Sequence, residues 1–228
     1  IKRRLGIRQA RQRALDSHID CASQALLYIP PELPDPRRPD FPERAAAEVR
    51  RILEATRGRA FVLFTSYQQM YRVYDLIAPE LPFPLLLQGT APRTALLDRF
   101  RQLSNPVLFA TSSFWQGVDV PGEQLSCVII DRLPFAVPSD PVVAARLRLL
   151  REEGADPFLE YQVPQAVIAL KQGFGRLIRS RSDRGLLAIL DTRILTRNYG
   201  TIFLGSFPDY RTTRDIAEVG KFMNEPAR

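Results

Sequence analysis

Gln172, Arg176 and Arg179 stand at i, i+4 and i+7 in the stretch Gln172-Gly-Phe-Gly-Arg-Leu-Ile-Arg-Ser180. On a helix of about 3.6 residues per turn that spacing lines them along one stripe. Val167, Leu170, Phe174, Leu177 and Ile178 fall on the other side, which would face a core. Two guanidiniums and an amide then point the same way. A guanidinium is always charged, and its planar fork takes phosphate oxygens two at a time. The plain alternative is a solvated basic face, because charged helix stripes usually meet water. Gly173 and Gly175 argue against it. Each costs roughly 1 kcal/mol inside a helix relative to Ala, so the spacing predicts a close backbone approach or a local break there.

A second group runs Thr111-Ser-Ser-Phe-Trp-Gln-Gly-Val-Asp-Val-Pro-Gly122. Small hydroxyls just past a strand can offer themselves and backbone N–H groups to phosphate oxygens. Gly117 lets the chain pass close to a ligand. Asp119 can hold a ribose hydroxyl or orient an arginine. Trp115 could stack a base, although core packing is the commoner fate of a tryptophan.

These groups need elements to carry them. Short runs apolar at every position read as strands buried on both faces: 60–64, 85–88, 107–110, 125–130 and 185–190. Between and after them the apolar spacing predicts helices at about 42–57, 67–77, 92–103, 139–153, 162–180 and 211–223. Ser66 is read as the N-cap of the second of these. Six prolines between Pro30 and Pro42 make that segment an extended surface crossing. Residues 21–29 hold a short apolar run. Strands alternating with helices give an α/β fold with a mostly parallel sheet, and ligands of such sheets bind at the carboxyl ends of the strands. Thr65, Ser66, Gln88, Gly89, Thr111 to Ser113, Asp131, Arg132, Asp191 and Arg193 all collect there.

Composition narrows the chemistry. The 228 residues carry a net charge of +7, which favours a polyanionic partner such as nucleic acid. Two cysteines exclude a four-cysteine zinc or iron–sulfur site within the chain, and they are read as small buried residues of a reducing cytoplasm. The single histidine, His18, removes histidine metal sites and makes a Ser-His-Asp triad a poor reading. No nucleophile elbow, phosphate-binding loop of the G-x-x-x-x-G-K-[ST] type or acidic Mg2+ box is present in the sequence. No signal-peptide pattern and no membrane-length apolar run is read. The first fifteen residues carry six Lys/Arg and no acid, so they form a basic arm that is either a linker or a phosphate-contacting segment. The chain opens on Ile1 and is expected to be a piece of a longer protein.

The segment 110–122 resembles motif V of superfamily 2 helicases, and Gln172 to Arg179 resembles their motif VI. Their wording is similar to the DinG/XPD-type DNA helicases. Phe61 to Tyr67 (FVLFTSY) resembles motif IV of the same family, and Gln88-Gly89 with the helix after it fits. The resemblance runs from about Leu26 to the C-terminus. It implies a RecA-like, P-loop NTPase-like second helicase domain over 26–228, with 1–25 as an arm or linker from a missing first half. It further implies ATP and Mg2+ held mainly by a first RecA-like domain, and single-stranded DNA as partner. Arg176 and Arg179 match the arginines sent to the γ-phosphate, and Gln172, Gly117 and Asp119 match nucleotide-side residues. Thr65, Ser66, Thr111 and Ser112 match positions near the DNA backbone. The family's iron–sulfur cluster would belong to the missing half. On this reading the chain alone is inactive. The competing reading is a non-catalytic nucleic-acid-binding or interaction module on the same scaffold.

Overall fold

Ala60–Phe64 is apolar at every position, so neither face of that strand can meet water without loss. The computed structural model, which describes residues 9, 20–111, 114, 120, 124–175, 177, 178, 180 and 183–225, buries all five of those residues at the centre of a parallel sheet. Among the described residues the strands are β1 (Ala25–Tyr28), β2 (Ala60–Phe64), β3 (Leu85–Leu87), β4 (Val107–Thr111), β5 (Cys127–Ile130), β6 (Gly185–Ile189) and β7 (Arg211–Thr213). They lie in the order β3-β4-β2-β5-β6-β1-β7, every pair parallel.

Alternate residues of each strand feed two cores. Phe61, Leu63, Leu108, Val128 and Leu187 face α4 (Arg93–Gln102) and α6 (Val163–Phe174). Val62, Phe64, Phe109, Ile129 and Leu186 face α2 (Phe41–Thr56), α3 (Tyr67–Ile77) and α9 (Ile216–Asn224). The register pairs Phe64 with Thr111, Leu63 with Ile130, and Ile130 with Ile189. The carboxyl ends of β2, β4, β5 and β6 therefore form one edge.

Local signals place the helices. Pro42 sits in the first turn of α2, and Arg57 closes that helix in the left-handed region at φ 58°. The Ser66 hydroxyl accepts from the Gln69 N–H at 3.3 Å, the N-cap read from the sequence. Asp140 accepts from two amides to start α5 (Pro141–Glu152), and Asp215 accepts from Ala217 to start α9. Two short helices, α7 (Arg193–Thr196) and α8 (Gly200–Leu204), follow β6. The remaining helix, α1 (Cys21–Gln24), leads into β1.

Three expectations change. The helix expected over 162–180 ends at Phe174, with Gly175 as its cap. The Gln172/Arg176/Arg179 spacing is therefore not a continuous helical stripe; the glycines mark the local break. Leu177 is fully buried, and a Cβ on Gly185 would lie 2.5 Å from its Cγ, so the segment after α6 seats on the start of β6. The helix expected over 211–223 is two elements: Arg211–Thr213 pairs with β1 as an edge strand, and α9 begins at Ile216. The apolar run at 21–29 supplies β1, held between β6 and β7. The basic arm at 1–15 lies outside the described residues apart from Gln9, as do Ser112, Gly117, Asp119, Trp115, Arg176 and Arg179. Cys127 is buried, with its thiol pushed up to about 12 by that burial, whereas Cys21 is only half-buried; neither forms a disulfide. No helix among the described residues is long and apolar enough to cross a membrane.

Phe109 is fully buried on β4, packed against Phe64 and the edge of Tyr74. Phe109→Ala is expected to cost about 3–5 kcal/mol in urea unfolding. Leu76→Ala, at a residue 42% exposed, stays within about 0.5 kcal/mol. Equal losses in the two variants would contradict the layer assignment.

Candidate functional site

β2 and β5 run side by side and stop at Thr65 and Asp131. Asp131 is fully buried, and its Oδ1 accepts from the Thr65 N–H at 3.2 Å. Burial is the largest influence on its carboxyl and pushes it up to about 7, while neighbouring Arg132 pulls the other way. The Arg132 Nε lies 3.7 Å from Asp131 Oδ2, too far for a hydrogen bond. The guanidinium stacks over Phe41 at 5.1 Å and reaches Gln69 Oε1 at 3.5 Å. Arg132 is thus held by an aromatic face and a buried charge, with its side chain 29% exposed.

The end of β6 is built differently. Asp191 is also fully buried, but the Arg193 fork closes on it with Nε at 2.8 Å and Nη2 at 2.6 Å. The backbone amides of Arg193 and Leu133 donate to the same carboxylate at 3.0 and 2.9 Å. Arg193 is consequently raised further above its ordinary range by that hydrogen-bonded carboxylate. Its fork is committed inside the fold and braces the exit of β6 against that of β5. The spacing differs between the two pairs: Arg193 follows Asp191 by two positions and folds back onto it, whereas Arg132 directly follows Asp131 and turns to Phe41 and Gln69.

Thr65, Arg132 and Gln172 line one cleft of about 510 Å³, together with the apolar wall of Pro134, Phe135 and Val137. Gln172 reaches it from the last turn of α6. Ser66 lines a separate pocket of about 260 Å³ with Arg37, Arg38, Arg72 and Gln69. Arg132 forms part of both walls. Arg37, Arg38 and Arg72 pair with Asp35, Asp40 and Glu43, surface pairs of small energetic weight. Thr111 sits apart from either pocket lining. It is buried, and its N–H and hydroxyl donate to Gln88 Oε1 at 2.7 and 3.1 Å. Gln88 in turn donates from Nε2 to the Tyr67 hydroxyl at 2.7 Å. The structure therefore brings Thr65 and Gln172 together, puts Ser66 beyond Arg132, and sets Thr111 beneath Gln88.

The segments carrying the other predicted residues are anchored on both sides. Leu177 and Ile178, between Arg176 and Arg179 in the chain, are buried in the core beneath α6. Ser180 donates its N–H to Asp183 Oδ2 at 2.8 Å, and Gln24 Nε2 donates to the carbonyls of Ser180 and Asp183 at 2.7 Å each. Phe114 and Val120, flanking Gly117 and Asp119, are buried in the same core. Gln24 and Arg132 carry little signal in the sequence: Gln24 is a lone Gln before an apolar run, and Arg132 is one of several polar residues at the strand ends. No group of residues able to hold a metal occurs among the described residues.

Residues 49–210 match the helicase C-terminal domain family. The chain is 47% identical over 224 residues to the ATP-dependent DNA helicase YoaA of Escherichia coli K12, covering 98% of the chain and 35% of that protein. It is 35% identical over 208 residues to the ATP-dependent helicase DinG of Mycobacterium tuberculosis H37Rv, covering 91% of the chain and 31% of that protein. The chain thus spans about a third of the length of these curated relatives. An XPD helicase structure superposes with a TM-score of 0.63 at 17% identity, over 93% of this chain and 37% of that one. The fold is thus that of RecA-like helicase domains.

The Asp131 carboxyl gives a pH test. Its folded value near 7 lies above the ordinary 3.8, so between those values the folded chain keeps a proton the unfolded chain has lost. Stability therefore falls as pH rises through this window and levels off above it. In urea titrations from about pH 5 to about pH 8, Asp131→Asn is expected to flatten that fall, since Asn still accepts from Thr65 and cannot ionise. Parallel curves for the two proteins would show that Asp131 does not titrate there.

Proposed function

The chain belongs to the helicase C-terminal domain family, and from that premise we propose that it is the second motor domain of an ATP-dependent DNA helicase of the DinG/XPD type. On this reading residues 26–228 form the motor domain and 1–25 lead in from the first half. ATP and its Mg2+ sit between two RecA-like domains, with the phosphate-binding loop and the acidic box on the first. Arg176 and Arg179 supply charge to the γ-phosphate, and Gln172, Gly117 and Asp119 complete the nucleotide side. Thr65, Ser66 and Ser112 meet the backbone of single-stranded DNA, while Thr111, whose amide and hydroxyl both donate to Gln88, supports that edge from beneath and does not touch the strand. Any iron–sulfur cluster belongs to the first half. Two free cysteines suit a cytoplasmic setting.

One observation carries the reading. Gln172 opens into the cleft beside Thr65 and Arg132, and the chain then leaves α6 directly before Arg176, with Leu177 and Ile178 sunk in the core. A segment so anchored can present charge from a fixed base. Phosphoryl transfer needs positive charge on the γ-phosphoryl as its bond breaks, and one arginine delivered there is worth roughly 10³–10⁵ in rate. Holding that arginine on a second domain makes hydrolysis depend on cleft closure. Closure and reopening then change the spacing of two surfaces that grip the strand, which converts chemistry to movement.

In the full-length protein, Arg176→Ala and Arg179→Ala are each expected to lower ATP turnover at least about a hundredfold while leaving single-stranded DNA affinity nearly intact. Unchanged turnover in both removes the arginine assignment and favours the non-catalytic nucleic-acid module. Residues 1–228 by themselves are expected to bind single-stranded DNA weakly and to hydrolyse no ATP. DNA-stimulated ATPase from that polypeptide would refute the division of labour between the halves.

A further inference from the structure

Two aromatic rings stand exposed at the carboxyl edge. Tyr67 and Tyr71 occupy successive turns of α3 and are 50% and 41% exposed. Their ring centroids lie 6.3 Å apart with planes inclined by 28°, a stacked pair of exposed aromatic rings. Exposed singly, such rings call for no explanation; paired and fixed beside a polar strand edge, they do.

The Tyr67 ring is tied down and the Tyr71 ring lies beside a tight turn. The Tyr67 hydroxyl accepts from Gln88 Nε2 at 2.7 Å, and Gln88 is itself locked through Oε1 to the Thr111 amide and hydroxyl. The Tyr71 hydroxyl lies over the turn after β3. Gly89 adopts φ +101° there, and a Cβ at that position would come within 2.9 Å of the Tyr71 oxygen. The turn thus adopts a backbone conformation that favours glycine, with the Tyr71 oxygen close beside it. The hydroxyl tips lie against Gln88 and the Gly89 turn, and both residues remain exposed. A ring held as Tyr67 is loses little freedom when something flat stacks on it.

We propose that Tyr67 and Tyr71 form a stacking platform for the bases of single-stranded DNA passing across this edge. The proposal rests on the helicase reading, which brings the strand to Thr65 and Ser66. Charge agrees with it: the chain carries +7 overall. Every base has a π-face, so stacking grips a strand without reading its sequence, as a translocating motor requires. Phosphate contacts from the basic surface and base contacts from the tyrosines would then hold different parts of the same nucleotide.

The test uses the full-length protein and two probes of equal length, an oligothymidylate and an abasic strand with the same phosphates. Tyr67→Ala and Tyr71→Ala are each expected to weaken oligothymidylate binding about fivefold or more, the range of a lost base stack. Binding of the abasic strand and the salt dependence of affinity stay unchanged, because no phosphate contact is removed. Tyr71→Phe keeps the ring and stays within about twofold of the wild type. Alanine variants that bind the oligothymidylate as well as wild type, or that lose both probes equally, overturn the platform. If wild type binds the strand and turns over ATP in either case, the motor reading stands without it. Wild-type protein that binds neither probe overturns both proposals.

Discussion

A strand apolar at every position cannot display chemistry from either face. β2, β4, β5 and β6 are buried throughout, with helices covering both sides of the sheet. Polar groups are thereby driven to the strand ends, and the parallel arrangement puts every carboxyl end on the same edge. The N-terminus of α3 opens at this edge, adding the partial positive charge of its unpaired amides. Thr65, Gln88, Thr111, Asp131 and Asp191 gather here because the rest of the sheet has no room for them.

That edge must be kept from spreading, and two buried carboxylates divide the task. Burying a carboxylate is costly unless donors surround it. Asp191 has two side-chain and two backbone donors, and the result is a rigid clasp between the exits of β5 and β6. Asp131 has the Thr65 and Arg132 amides and a distant guanidinium, so the proton becomes an alternative partner near pH 7. The same difference decides what the adjacent arginines can do. Arg193 is spent on its clasp, whereas Arg132 reaches into the cleft on one side and the Ser66 pocket on the other.

Most of the frame was legible in the residues because burial on both faces leaves an unbroken apolar run, and β2, β3, β4, β5 and β6 all announce themselves so. β7 does not: of Arg211, Thr212 and Thr213 only Thr213 is buried, and an exposed edge strand of three polar residues has no pattern to read. α6 looked too long because Leu177 and Ile178 fall at helical spacing from Phe174. They are buried as that spacing implies, but by a chain that has already left the helix. At the site, residue type and strand position sufficed to bring Thr65 and Gln172 to one cleft. They do not reveal that Asp131 accepts from Thr65, that Asp191 also accepts from Leu133, or that the Thr111 hydroxyl is turned to Gln88, since these contacts join residues 23 to 66 positions apart.

The break after Phe174 has a mechanical consequence. A helix continuing to residue 180 would carry its cationic residues on an arm whose position depended on the helix alone, free to bend at two glycines. Instead Leu177 seats on Gly185 at the start of β6, and Gln24 ties Ser180 and Asp183 to the entrance of β1. The segment is fastened to two neighbouring strands of the sheet, so its location is set by the whole parallel frame. Positioning a charge on a reacting phosphate tolerates errors of only a fraction of an ångström. Under the proposed function the arginines of this stretch would approach and leave the nucleotide with the domain, and the anchors at Leu177, Ile178 and Ser180 suit that demand. Ending the helix at Phe174 is what lets Leu177 and Ile178 reach the core against the sheet.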